Sequence, residues 1–124
     1  MWVILSMEYG PPHIPFTPEF LREMTAGNEE LMKMVLQTFI DQSERLLTEL
    51  ESYANAGDEK GLQAHFHKLS GSAKTIGADA FGDLSKEFEL RYAEDCGQKD
   101  SKVEVEKLKD AYGLLKSELK DYLN

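Results

Sequence analysis

Apolar residues recur at spacings of three and four through most of the chain, and no segment alternates apolar with polar positions as a half-buried strand would. Thr17-Pro18-Glu19 reads as the first helix start: an N-cap hydroxyl, proline at the first helical position and an early acid. That helix is short, Pro18 to Thr25, and Gly27 closes it. A second, long helix starts at Asn28-Glu29-Glu30 and ends near Ala54, with Leu31, Val35, Phe39, Leu46, Leu47 and Leu50 as its apolar stripe. Ala56-Gly57-Asp58 is a turn, and Asp58 caps a third helix that begins near Glu59. A fourth runs from about Asp79 to Ala93 and buries Phe81, Leu84 and Phe88. After a polar connection from Cys96 to Asp100, Ser101 caps a last helix. Its residues Val105, Leu108, Tyr112, Leu115, Leu119 and Tyr122 form a bundle-facing seam.

Four substantial helices joined by short loops predict an all-α fold, an antiparallel four-helix bundle with the short first helix as a lid. Residues 1–16 hold three of the four prolines (Pro11, Pro12 and Pro15) and read as an extended lead-in, which leaves 17–124 for the bundle. There is no internal repeat and no low-complexity tract.

Composition narrows the function. The 124 residues suffice for one core but not two. A formal net charge of −9 argues against nucleic acid or an anionic membrane as partner, because both reward basic surfaces. No run of 18 apolar residues exists, so no membrane span is expected. The opening Met1 to Leu5 is apolar but too short for a signal-peptide core and lacks a basic leader, and Met7 is an alternative start. Cys96 is the only cysteine, which excludes an intrachain disulfide and points to a reducing, cytoplasmic setting. Its acidic neighbours Glu94 and Asp95 disfavour a reactive thiolate.

The segment Leu62 to Ala78 carries the most information. With Leu62 as reference and about 100° per residue, Phe66, Leu69, Ala73, Ile76 and Ala80 fall within about 40° and define a buried stripe. His65 lies on its edge, near about 300°, and reads as a half-buried residue bonded to a neighbouring helix. His67 points outward at about 140°, flanked by Gly71, Lys74 and Ala78 at about 180°, 120° and 160°. Lys68 sits on the far flank at about 240°. A glycine inside a helix costs up to about 1 kcal/mol relative to alanine, but one turn after His67 it bares backbone for another protein to approach. From Gly61 to Ala78 there are two lysines and no acid, a cationic island suited to a transient anion. On geometry alone, an ordinary surface histidine and a close helix crossing would give the same pattern.

Other chemistries lack support. His65 and His67 point in different directions, His13 lies in the lead-in, and no HExxH or CxxC spacing exists, so no metal site is expected. Phosphate loops, GxSxG elbows and paired-carboxylate motifs are missing too.

The run His67-Lys68-Leu69-Ser70-Gly71-Ser72-Ala73-Lys74-Thr75-Ile76-Gly77-Ala78 resembles the phosphorylation motif of histidine-containing phosphotransfer (HPt) domains, approximately H-x-x-K-G-[SA]-[SA]-x-x-[IL]-G-[AL]. The likeness extends over about 105 residues, from Thr17-Pro18-Glu19-Phe20-Leu21 through the last helix, and takes in Glu29-Glu30-Leu31, Ala56-Gly57-Asp58 and Leu84…Phe88-Glu89. It implies a histidine phosphocarrier in a two-component phosphorelay. A receiver-domain phospho-aspartate passes its phosphoryl group to His67, and His67 passes it to a second receiver. Imidazole is a competent nucleophile near neutral pH, and positioning does most of the work in phosphoryl transfer. No cofactor is then needed on this chain, since the Mg²⁺ belongs to the receiver.

The resemblance further implies a phosphate neighbourhood of Ser70, Gly71 and Lys74, and partner docking at Lys68 and Ala78. The family usually carries a lysine where this chain has Ser70. Lys74, one turn further along, is the expected substitute. Partners are receiver domains, free or within hybrid sensor histidine kinases, visited by a monomeric shuttle. Since 124 residues leave no room for an ATP-binding domain, a carrier is expected rather than an enzyme. The competing reading is an HPt-like bundle that docks receivers without accepting phosphate.

Overall fold

A computed structural model describes residues 16–93 and 100–123. The lead-in up to Pro15, with Met7 and His13, and the Cys96 connection lie outside the described residues. Five helices follow in order: α1 Pro18–Met24, α2 Glu29–Ala56, α3 Glu59–Thr75, α4 Asp79–Ala93 and α5 Ser101–Leu123. Helix α2 packs on α3, α3 on α4, α4 on α5, and α5 back on α2, which closes a four-membered ring. Its neighbours run antiparallel, as their cross-helix pairs show. Glu49 meets His65 and Tyr53 flanks Gly61; Lys74 meets Asp83 and His67 meets Glu89; Phe81 lies by Tyr112 and Arg91 by Glu104.

Local chemistry fixes the helix ends. Asn28 caps α2 by accepting from the Leu31 N–H at 3.1 Å, and Asp58 caps α3 by accepting from the Gly61 N–H at 3.0 Å. Two of the expected caps differ. Thr17 makes no side-chain cap bond, and its backbone N–H instead donates to the Gly77 carbonyl at 3.1 Å, tying α1 to the α3–α4 corner. At the head of α5, Asp100 rather than Ser101 accepts from the Val103 N–H, at 3.2 Å, because the helix already begins at Ser101.

The core is a continuous aliphatic and aromatic column with Leu36, Leu50, Leu62, Phe66, Leu69, Phe81, Leu108, Leu115 and Leu119 at its centre. Leu21 of α1 is fully buried against its end, as a lid residue would be. Phe39, Leu46, Leu47 and Leu50 of α2 are buried as expected, and only its first turns are rotated. Met32, Leu36 and Ile40 are buried with Phe39, whereas Leu31 is exposed and Val35 half-buried. Leu31, Met32, Met34, Val35 and Leu36 spread over about 200° of the helix, so periodicity left the seam ambiguous and packing selected it. Leu84 and Tyr122 are half-buried rather than core.

Helix α3 ends at Thr75, earlier than a wheel drawn through Ala80 assumes. The Gly77 N–H donates to the Lys74 carbonyl at 3.2 Å and the Ala78 N–H to the Ala73 carbonyl at 2.9 Å, the paired bonds of a Schellman stop. Gly77 has φ of +87°, and a Cβ there would run into the Thr17 carbonyl, so this corner requires glycine. The turn reverses the chain before Ala78. Ala78 is therefore fully buried rather than outward-facing, and Ala80 is exposed rather than buried.

Polar bonds join the helices around the apolar column. The Tyr112 hydroxyl donates to the Ile40 carbonyl at 3.3 Å and to Glu44 at 3.0 Å, while Lys116 also pairs with Glu44. Burial first, then the Glu44 hydrogen bond, raises the Tyr112 hydroxyl well above its ordinary pKa. Between α4 and α5, buried Glu104 accepts from the Tyr92 hydroxyl at 2.5 Å and from Arg91 at 3.0 Å.

Candidate functional site

The two histidines of α3 are two residues apart and end in opposite environments, because a helix turns about 200° over that interval. His65 is buried against α2. Its Nε2 lies 2.6 Å from Glu49 Oε1, and the Tyr53 ring meets it edge-on at 4.9 Å. The hydrogen bond from His65 is the main reason Glu49 is held below its ordinary pKa. His65 is thus a helix-joining residue.

His67 faces outward, with its side chain 69% exposed. One ring atom is held: Nδ1 stands 3.0 Å from Oε2 of Glu89 on α4, a side chain only 12% exposed. A carboxylate can only accept, so Nδ1 carries the proton and donates it. In the neutral ring this leaves the lone pair on Nε2. The imidazole is thus fixed in tautomer and orientation, with Nε2 unengaged among the described residues. Glu89 is also paired through Oε1, which lies 3.3 Å from Lys86 Nζ, outside good hydrogen-bond geometry but within ion-pair range. Lys86, Glu89 and His67 form one continuous chain of charge and hydrogen bonding across the α3–α4 groove.

The remaining expected site residues divide. Gly71 opens onto solvent, with no atom within 4 Å of where a Cβ would stand, so the surface beside His67 is low. Lys68 is exposed and unpaired among the described residues. Lys74 is turned to α4, where its Nζ lies 3.1 Å from Asp83. Ser70 is buried under Gly82 rather than presented beside the imidazole, and Ala78 is in the core. Ser70 and Ala78 therefore offer no exposed side chain to a phosphate or a partner. Physically, residue 70 lies on the flank of α3 that α4 covers, and residue 78 lies beyond the helix stop.

Glu89 and Lys86 had no assigned role from sequence. Glu89 follows Phe88 at the edge of the α4 stripe, which hints at half-burial, but nothing local tells which residue of α3 it meets. No group of three or more His, Cys, Asp or Glu among the described residues could hold a metal ion. Nor is any helix among them long and apolar enough to cross a membrane.

The family model described as Hpt domain matches residues 34–122, from the first turns of α2 to the end of α5. The phosphorelay intermediate protein rdeA of Dictyostelium discoideum is 30% identical over 119 residues. That alignment covers 95% of this chain and 44% of rdeA, so the chain spans less than half the length of that relative. No solved structure gives a significant match.

Proposed function

The chain belongs to the Hpt domain family, and from that premise we propose that it relays phosphoryl groups between receiver domains, with His67 as the acceptor. The observation that carries this reading is the His67–Glu89 pair: an exposed imidazole held by Nδ1, with its Nε2 lone pair presented to solvent. In the forward step Nε2 attacks phosphorus in line, the N–P bond forms, and the aspartyl oxygen leaves as a carboxylate. The ring keeps its Nδ1 proton and becomes a phosphorylated imidazolium. Glu89 is already placed against the developing positive charge, so little reorganisation accompanies the step. The return step reverses these bonds onto a second receiver, and any Mg²⁺ is supplied by the receiver.

Docking is the other half of the reading. The open backbone at Gly71 lets a receiver approach the imidazole. Phe20, exposed and packed beside Gly77, extends this face towards α1. No ATP-binding element is needed for such a relay, and the chain acts as a carrier.

Ser70, which stands where the family usually carries a lysine, favours a second reading in which the bundle docks receivers without accepting phosphate. Incubation with a receiver charged by labelled acetyl phosphate separates the two. Acid-labile label on the wild type, retained in His65→Gln and lost in His67→Gln, supports the carrier. Receiver binding without label supports the docking module, and label that persists in His67→Gln overturns the assignment.

A further inference from the structure

We propose that Lys86 of α4 supplies, from the facing helix and through Glu89, the positive charge that Ser70 does not provide for the phosphorylated state of His67. This rests on His67 being the acceptor.

Phosphorylation places a phosphoryl dianion on a ring that is held by a buried carboxylate, in a chain whose net charge is already −9. Such a state needs a nearby cation, and three lysines are in question. Lys68 is on the far flank of α3. Lys74 is seven residues, about 10 Å, further along the helix, and its ammonium is held by Asp83. Lys86 is one carboxylate away: its Nζ is 3.3 Å from Glu89 Oε1, and Glu89 Oε2 is 3.0 Å from His67 Nδ1.

The register of α3 against α4 gives the reason for this placement. Glu89 lies across from His67, while Gly82 lies across from Ser70 and Lys74, so Lys86 falls between them along α4. At Ser70 the two helices cross closely, and the serine is buried there. A Cβ on Gly82 would stand 3.2 Å from the Ser70 carbonyl oxygen. The serine and the close crossing go together, and the cation comes from α4. Lys86 is a positioning residue: it offsets the Glu89 charge, so that Glu89 can hold the imidazolium while a phosphoryl dianion sits on the same ring.

The test uses potassium phosphoramidate, a small donor that needs no receiver. The variants are Lys86→Gln, Lys86→Arg and Lys74→Gln, each with an unchanged thermal melt. The expected result is a label on Lys86→Gln that is lost about three- to tenfold faster than on the wild type, with Lys86→Arg restored and Lys74→Gln unaffected. Equal lifetimes in wild type and Lys86→Gln overturn the proposal, as does a larger effect from Lys74→Gln or a failure of Lys86→Arg to rescue. Absence of label on the wild type itself refutes the His67 reading instead, so the two failures are distinguishable.

Discussion

Gly82 crosses Ser70 so closely that a Cβ on the glycine would stand 3.2 Å from the serine carbonyl oxygen and 2.9 Å from Lys74 Cγ. The carbonyl belongs to the α3 backbone and cannot rotate away. Replacing Gly82 with alanine gains helix propensity of about 0.5–1 kcal/mol and incurs overpacking of about 1–3 kcal/mol. The expected outcome is a net loss of stability of about 0.5–2 kcal/mol, measured by denaturant unfolding. Because the crossing sets where α4 lies, Gly82→Ala should also disturb the Lys74–Asp83 pair.

Gly71 should respond in the opposite sense. Nothing lies within 4 Å of its missing Cβ, so Gly71→Ala should stabilise the bundle by about 0.5–1 kcal/mol in thermal or urea unfolding. If the bare backbone serves close approach, Gly71→Gln should keep the fold and slow phosphate acceptance from a receiver about tenfold or more. Labelling by phosphoramidate, which needs no docked protein, should change little in the same variant. A Gly71→Gln protein that accepts from a receiver at the wild-type rate would remove the steric role.

Glu89→Gln separates orientation from charge. The amide oxygen can still accept the Nδ1 proton of His67, but the negative charge opposite the phosphorylated imidazolium is gone. Labelling of His67 should slow about tenfold while the circular dichroism spectrum and melting midpoint stay close to wild type. Glu89→Ala, which loses both contributions, should be slower again.

Alkaline pH should unfold the protein through its tyrosines. Burial and Glu44 raise Tyr112 in the folded state, and burial and Glu104 raise Tyr92. An unfolded tyrosine ionises near about pH 10, so above that pH the unfolded chain binds fewer protons than the folded one. Stability is therefore flat from neutral pH up to about 10 and falls beyond it. Tyr112→Phe should flatten the fall, while at pH 7 it costs about 1 kcal/mol for the hydrogen bonds to Ile40 and Glu44.

Much of this was legible in the chain, and the reasons are local. Asn28 and Asp58 precede their helices and cap them, Gly27 and Gly57 adopt the positive φ that stops require, and the α5 stripe from Val105 to Leu119 is buried as spaced. His67 outward and His65 inward follow from helical geometry alone. The first turns of α2 were ambiguous because either of two seams satisfies the same periodicity. Ala78 and Ala80 were misplaced because a helical wheel holds only as far as the helix, and the Schellman stop intervenes.

The sequence by itself determined which residues can be acceptor, cap and core, since those properties depend on side-chain chemistry and on neighbours three or four positions away. Only the tertiary structure decided what His67 works with. Glu89 is 22 residues away, on another helix. It reaches Nδ1 because the α3–α4 turn and the Ser70–Gly82 crossing fix one antiparallel register. The same register covers Ser70, turns Lys74 to Asp83 and presents Glu89, already paired with Lys86 one turn earlier on α4, to His67. Register between helices is set by which side chains fit together across the interface, and no single stretch of sequence contains that information.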